Sequence, residues 1–283
     1  MAVGDPPTFP HVSGGGARTP SPFHRERGFA FVRCRRCRSV YLDPRPAPAR
    51  VLAHYDDYLP EDPERIRGWE ASQRPLVRRA VRILRRALPP GARILDVGCG
   101  YGHLAAALAA AGFRAEGVEL SPIGVRHARS LGVAVRQGTL EAAAFPGEAF
   151  DAVTAYYVIE HLDDPAAFLR EARRILRPGG ALLLRWPQSA PLVRWCRLLG
   201  VRIDLFDAPS HLTDFTPESL KALLERKGFE AVRTWPGGSS SPKALVPRLA
   251  GRLGGLVGDS LHVLSGGRFI APGASKTTLA RKT

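Results

Sequence analysis

The chain is poor in cysteine, methionine and lysine, and it has no long apolar run. Four cysteines in 283 residues (Cys34, Cys37, Cys99, Cys196) show no framework spacing. That excludes a disulfide-stapled fold and points to a reducing compartment. No segment approaches the roughly 18–20 apolar residues of a membrane span. Residues 244–264 come nearest, but Arg248, Arg252, Asp259 and five glycines or prolines interrupt them. Residues 1–22 are rich in Gly, Pro and Ser without the apolar core of a leader, so they are expected to be disordered and the chain cytoplasmic. A phosphate-cradling loop would end in G-K-[ST], and the sequence has none. Only five lysines stand against 36 arginines, yet the net charge is +15, so arginine carries the positive field.

What is present is concentrated in Ile94-Leu95-Asp96-Val97-Gly98-Cys99-Gly100-Tyr101-Gly102. A short apolar strand ends in an acid and three glycines spaced two apart, and an alanine-rich helix (His103 to Ala111) begins at once. Glycine removes a Cβ where a strand turns sharply into a helix and a ligand must press on backbone. The helix N-terminus adds unpaired N–H groups facing the same crevice. In a dinucleotide-binding G-x-G-x-x-G turn the third glycine would stand at position 103, where the chain has His103. Residues 114–120 read as a second strand whose tip carries Glu119, placed to accept from the hydroxyls of a bound ribose.

The alternation continues. Ser121 caps a helix with Pro122 at its first position and Gly132 beyond its end. Val133 to Arg136 give a third strand and Phe150 to Ala155 a fourth. Asp164-Pro165 open a helix whose apolar set (Phe168, Leu169, Ala172, Ile175, Leu176) makes one stripe. Pro178-Gly179-Gly180 end it and lead into a fifth strand, Ala181 to Trp186. Thr216-Pro217-Glu218 start a helix stopping at Gly228, Phe229 to Thr234 give a sixth strand, and Lys276 to Arg281 a last one. Periodicity supports an open, doubly wound α/β sheet, which binds ligands beyond the carboxyl ends of its strands where strand order reverses. That placement gathers Gly98, Gly100 and Tyr156 around one crevice.

The glycine turn with Glu119, then Phe150-Asp151 through Glu160-His161-Leu162-Asp163-Asp164-Pro165 and Leu176-Arg177-Pro178-Gly179-Gly180, resembles the class I S-adenosylmethionine-dependent methyltransferases. Together with Pro209-Ser210-His211-Leu212 and Phe215-Thr216, these motifs are similar to a subgroup that modifies small molecules, including sugars and quinone precursors. The resemblance implies a seven-stranded, mostly parallel sheet with helices on both faces and the last strand inserted antiparallel. It implies S-adenosyl-L-methionine as cofactor, with Asp96 at its methionine end and Gly98, Gly100 and Gly102 admitting it against backbone. Glu119 would then lie on the ribose, Thr139 and Leu140 along the adenine, and Tyr156 in the pocket wall. A hydroxyl acceptor calls for a general base, and the candidates are His211, in a loop expected over the acceptor, and His161 after the fourth strand. Tyr157 could line the pocket, and Tyr55 and Tyr58 could close a lid.

Ahead of this core, Phe31-Val32-Arg33-Cys34-Arg35-Arg36-Cys37 with Leu42-Asp43-Pro44-Arg45-Pro46 looks like half of a zinc ribbon. Tetrahedral zinc needs four ligands, and upstream there are only His11 and His24, so the expectation is a degenerate ribbon and no metal. The expected organisation is a disordered segment over 1–30, a ribbon-like or lid segment over 31–75, the cofactor-binding domain over 76–237, and a C-terminal helix and last strand over 238–283. Arg78, Arg79, Arg82, Arg85 and Arg86 share an arc of a helix from Leu76 to Leu88. It reads as a solvated basic face, with a weak membrane-surface or nucleic-acid contact as the functional alternatives. The expected function is methyl transfer to a small-molecule acceptor, at an oxygen of a sugar or secondary metabolite. The alternatives are an RNA methyltransferase docking through its arginine face and a non-catalytic cofactor-binding protein. Oligomeric state is not readable.

Overall fold

The computed structural model describes residues 20–47, 58–236, 260–261, 264–265, 270 and 275–283. In chain order the strands are β1 (Ser21–Glu26), β2 (Phe29–Arg33), β3 (Val40–Leu42), β4 (Arg93–Val97), β5 (Arg114–Glu119), β6 (Ala134–Gln137), β7 (Phe150–Tyr156), β8 (Leu176–Pro187), β9 (Thr213–Asp214), β10 (Phe229–Pro236) and β11 (Ser275–Lys282). The helices are α1 (Pro63–Ala87), α2 (His103–Ala110), α3 (Pro122–Ser130), α4 (Pro165–Ile175), α5 (Ala190–Leu198) and α6 (Pro217–Arg226), and a 3-10 turn spans Ile159–His161.

Seven strands form one sheet in the order β10-β11-β8-β7-β4-β5-β6, with β11 antiparallel to both neighbours and the β8-β7-β4-β5-β6 pairs parallel. Strand order reverses between β4 and β7, which opens the crevice at their carboxyl ends. The central strands are buried on both faces, as parallel strands covered by helices must be. Side chains alternate along a strand. Leu95, Val153, Leu182 and Leu184 therefore meet Phe168, Leu169 and Ile175 of α4, while Ile94, Ala152 and Leu183 meet Ala80 and Leu84 of α1 and Leu108 of α2.

The helix starts follow capping chemistry. Asp164 accepts from the backbone N–H groups of Ala166 and Ala167 at the start of α4. Thr216 and Ser219 exchange side-chain and backbone hydrogen bonds as a capping box at the start of α6. Each such cap contributes about 1 kcal/mol.

A second sheet, β1-β2-β3-β9, is antiparallel and joins the N-terminal hairpin to a two-strand-residue segment from far downstream. Its core is Phe31, Val40, Leu42, Val193, Phe206, Ala208 and Leu212.

Four expectations need correction. Residues 21–30 are not part of a disordered segment; they form β1 and the start of β2, closed by the Arg27–Gly28 turn. The basic helix begins at Pro63 rather than Leu76, capped by Asp62, which accepts from Arg65 N at 2.8 Å, and runs through Pro75. The ribbon-like segment therefore ends before it. Pro178-Gly179-Gly180 do not separate helix from strand: α4 stops at Ile175 and β8 starts at Leu176, with a register irregularity against β7 between Phe150 and Ala152. Of the expected C-terminal helix only Ser260, Leu261 and Leu264 are described, and they are helical; His54, Tyr55 and residues 1–19, His11 among them, lie outside the described residues.

Candidate active site

A cavity of about 400 Å³ occupies the reversal point, walled by β4, β5 and β7 ends, by α1 and by the 3-10 turn. Asp96, Gly98, Gly100, Glu119, Thr139, Leu140, Tyr156, Tyr157, His161 and His211 all line it, as does Tyr58. Gly102 does not.

The three glycines of the turn have different surroundings: at Gly98 (φ +65°) a Cβ would sit 2.5 Å from Val158 Cγ2, so the side chain after β7 packs on it. At Gly100 (φ +53°) a Cβ would meet nothing within 4 Å, so the backbone there faces open cavity. At Gly102 (φ +81°) a Cβ would sit 2.6 Å from Ala128 Cβ and 2.9 Å from its Cα. Gly102 thus admits α3 against α2 rather than a ligand, which corrects its expected place in the crevice.

Asp96 is fully buried beside Thr154, its register partner on β7, whose Oγ1 donates to Asp96 Oδ1 at 2.6 Å. Burial pushes this carboxyl up to about 7, against the bond from Thr154 and with a further push from Glu119. Glu119 has one oxygen on Gly100 N (2.7 Å) and the other on Ser121 N (2.8 Å). It thereby braces the glycine turn, while the second lone pair of each oxygen stays available to a hydroxyl. Burial raises its pKa as well. Tyr156 is driven far up by burial and stays a neutral hydroxyl.

On the opposite side, Glu160, His161 and His211 converge, each offering one ligand atom within 4.8 Å of the others. The rings of His161 and His211 meet edge to face with centroids 4.6 Å apart. His161 Nδ1 lies 2.9 Å from the carbonyl of Ser210. A carbonyl only accepts, so Nδ1 carries a proton, and Nε2 lies 4.0 Å from Glu160 Oε1. Burial lowers His211 to about 4, so its ring is neutral at physiological pH. Glu160 is buried with no hydrogen bond to either carboxylate oxygen. Burial first, then Asp214, raises it to about 8 against the pull of Arg185. Buried carboxylates without partners are rare, and one facing two imidazoles calls for an explanation.

Sequence reasoning quoted Glu160 within a motif without giving it a role. Its signal was there: an acid beside a histidine, directly after a central strand. What could not be read was the hydrogen bonding that leaves its oxygens empty.

The loop bearing His211 is tied down by the small sheet. Leu212 N donates to Glu160 O (2.8 Å), and Leu42 N donates to Leu212 O (3.0 Å). Buried Glu26 accepts from Phe206 N and Ala208 N. Arg45 reaches Asp163 and Thr213. The cysteine pair closes a tight turn, with Cys37 N donating to Cys34 Sγ (3.5 Å). Among the described residues no third ligating side chain joins Cys34 and Cys37; His24 instead sits near Asp204 and against Phe206.

A sheet ordered in this way, with an acid and a glycine turn at its reversal point, is the fold of the class I S-adenosylmethionine-dependent methyltransferases. Residues 69–234, more than half of the chain, match the profile of the methyltransferase-domain family, and the chain belongs to that family. It is similar to the ubiquinone biosynthesis O-methyltransferase of Dinoroseobacter shibae, 35% identical over 152 residues, covering 50% of this chain and 61% of the relative. The protein of the same name from Xanthomonas campestris is 41% identical over 151 residues, covering 49% and 63%. The match thus spans about three fifths of the length of these relatives. Among solved structures, a SAM-dependent methyltransferase from Thermotoga maritima has TM-score 0.53 and 22% identity, covering 78% of this chain and 96% of that one. The [4+2]-cyclase SpnF has TM-score 0.51 and 23% identity, covering 72% and 80%. These two share the fold.

Proposed function

We propose that the protein transfers the methyl group of S-adenosyl-L-methionine to an oxygen of a small molecule, a sugar, a secondary metabolite or a phenolic quinone precursor. The observation that carries this reading is the Glu160–His161–His211 group: His161 and His211 line the same cavity as Asp96 and Glu119, and Glu160 lies buried behind them. The cofactor, when bound, supplies an electrophilic methyl on a cationic sulfur. Asp96 would hold its methionine end, Gly98 and Gly100 would admit it against backbone, Glu119 would accept from its ribose, and Thr139, Leu140 and Tyr156 would line it. The protein's task is to exclude water, align the acceptor oxygen and remove its proton. His211 alone is a weak base. With its pKa near 4, taking a proton from a phenol of pKa about 10 is uphill by roughly 8 kcal/mol. Glu160, near 8, is closer to the acceptor in basicity but carries its own proton at neutral pH, so it can take one from the trio only as the pH rises towards 8.

A second reading of the trio is favoured by the empty oxygens of Glu160. One carboxyl group and two imidazoles form a donor set suited to a divalent cation, which would lower the pKa of a bound acceptor hydroxyl. Both readings are separated by one assay. The purified protein is incubated with labelled cofactor and a cell extract, with and without chelator, and label is followed into small-molecule, lipid, RNA and protein fractions. Label in small molecules supports the proposal; label in RNA alone supports docking through the arginine face. Binding of cofactor with no label transferred would leave a cofactor-binding protein without chemistry. Chelator sensitivity decides between cation and proton relay.

A further inference from the structure

Helix α5 is turned inside out. Val193 reaches the core of the small sheet, but Leu192, Trp195, Leu198 and Leu199, spaced i, i+3, i+6, i+7, lie on one arc of about 120° facing water. Trp195, Leu198 and Leu199 are 60%, 70% and 76% exposed. Val201 and Leu205 extend the ridge, so residues 192–205 hold six of the eleven exposed large apolar side chains among the described residues. Scattered apolar side chains on a surface need no explanation, but a contiguous ridge does.

Directly beside the ridge lies a second cavity of about 390 Å³. Trp195 and Leu198 form part of its wall, and Arg33, Arg38 and Arg194 another part. The arginines face one another closely enough that Arg38 and Arg194 disfavour the charge on Arg33, in addition to its partial burial. The one carboxylate in that wall, Asp214, is turned to the backbone N–H groups of Ser189 and Ala190. Arg197, tethered to the carbonyl of Phe23 (3.1 Å), and Arg202 add positive charge along the same segment.

We propose that this face docks the protein on an anionic lipid surface. The ridge of Leu192, Trp195, Leu198 and Leu199 enters the headgroup–acyl boundary, and the Arg33–Arg38–Arg194 cavity receives a lipid phosphate. An amphipathic helix with aliphatic residues and a tryptophan on one arc and arginines on its flank is built for that interface. Charge sets the choice of occupant. A second copy related by a two-fold axis would press arginines against arginines, whereas an anionic bilayer neutralises them. No helix among the described residues is long and apolar enough to cross a membrane, so the contact is peripheral. The inference is independent of the acceptor's identity.

The test is flotation of the full chain with vesicles of phosphatidylcholine alone or mixed equally with phosphatidylglycerol, at low and high salt. The expected result is binding to the anionic vesicles only, weakened at least tenfold by high salt, by Leu198→Ser with Leu199→Ser, and by Arg33→Gln with Arg38→Gln. Cofactor affinity of each variant, measured in parallel, certifies that it is folded. Tryptophan emission should shift to the blue on vesicle addition in the parent and not in Trp195→Phe. Absence of vesicle binding overturns the proposal. So does binding that follows vesicle charge but ignores the leucine pair, because net charge alone then explains it. A concentration-dependent dimer in light scattering that Leu198→Ser abolishes, or preferential capture by an acidic polypeptide over vesicles, would equally assign the ridge to another occupant.

Discussion

On one side of the crevice, Asp96, Gly100 and Glu119 come from a single β4-α2-β5 unit; Glu119 accepts from Gly100 within it, and one bond from outside, donated by Thr154 of β7, holds Asp96. On the other, the ring of His211 is set by a loop held between Glu160, Leu42 and a buried Glu26, three regions far apart in the chain. The glycine-turn side is thus local in sequence, and the histidine side is assembled by tertiary structure. The methyltransferase from Thermotoga maritima and the cyclase SpnF share the fold that carries the local unit. On the proposed reading, specificity would belong to the assembled side, where an antiparallel appendage positions one loop.

The contrast is broken most sharply within the glycine turn. Gly100→Asp puts a carboxylate into open cavity at φ +53°, a conformation aspartate tolerates better than most residues. Cofactor affinity measured by calorimetry should fall more than about 100-fold, with Tm nearly unchanged. Gly102→Ala should do the reverse. Its Cβ collides with Ala128 backbone and side chain, so stability drops by about 1–3 kcal/mol while the affinity of the folded fraction is kept. If both variants lose affinity alike, the two glycines are not doing separate jobs.

Changes on the histidine side should leave the donor bound and stop transfer. Glu160→Gln and His211→Ala are each expected to reduce kcat by about 100-fold. The dissociation constant of the cofactor should stay within a factor of about three. Loss of cofactor binding in either variant would show that the two sides are not separable.

Acidity links the sides again. Asp96 and Asp214 rise from 3.8 to about 7, and Glu160 from 4.5 to about 8, all chiefly by burial. The folded chain therefore keeps protons that the unfolded chain has already lost between pH 4 and 8. Raising the pH through that window removes stability. Tm without cofactor should fall from pH 5 to pH 8, and Glu160→Gln should flatten the slope and raise Tm at the upper end. A Tm that climbs with pH would contradict the buried, unpaired state of Glu160.

The same division explains what could be read from the chain alone. The strands and the crevice residues Gly98, Gly100 and Glu119 follow from glycine spacing and strand patterning, because those constraints act within about 30 residues, whereas the strand order and the place of Asp96 come from the family resemblance. Gly102 was misplaced because its neighbour Ala128 is on another helix, and a sequence does not show what a Cβ would strike. The start of α1 was missed because Pro75 reads as a beginning, though here the chain on both sides of it stays helical. The empty oxygens of Glu160 depend on what each surrounding element fails to donate. The exposed ridge of α5 has the periodicity of a buried face, and only the packing of Val193 tells which side is turned inward.

The smallest effect tests how the appendage reaches the site. Ser39, in the turn that leads into β3, has its Oγ 2.8 Å from Oγ of Ser219, a member of the α6 capping box. Through β3 and β9 the same strand pair carries Leu212, next to His211. Ser39→Ala removes one side-chain hydrogen bond, so global stability should change by no more than about 1 kcal/mol. Cofactor affinity should not change at all. If the small sheet orients the His211 loop, kcat should nonetheless fall by about two- to fivefold, and Ser39→Thr, which keeps the hydroxyl, should restore it. A drop in Tm without a drop in kcat would make the appendage a fastening for α6 alone and leave the loop to be held by Glu160 and Glu26.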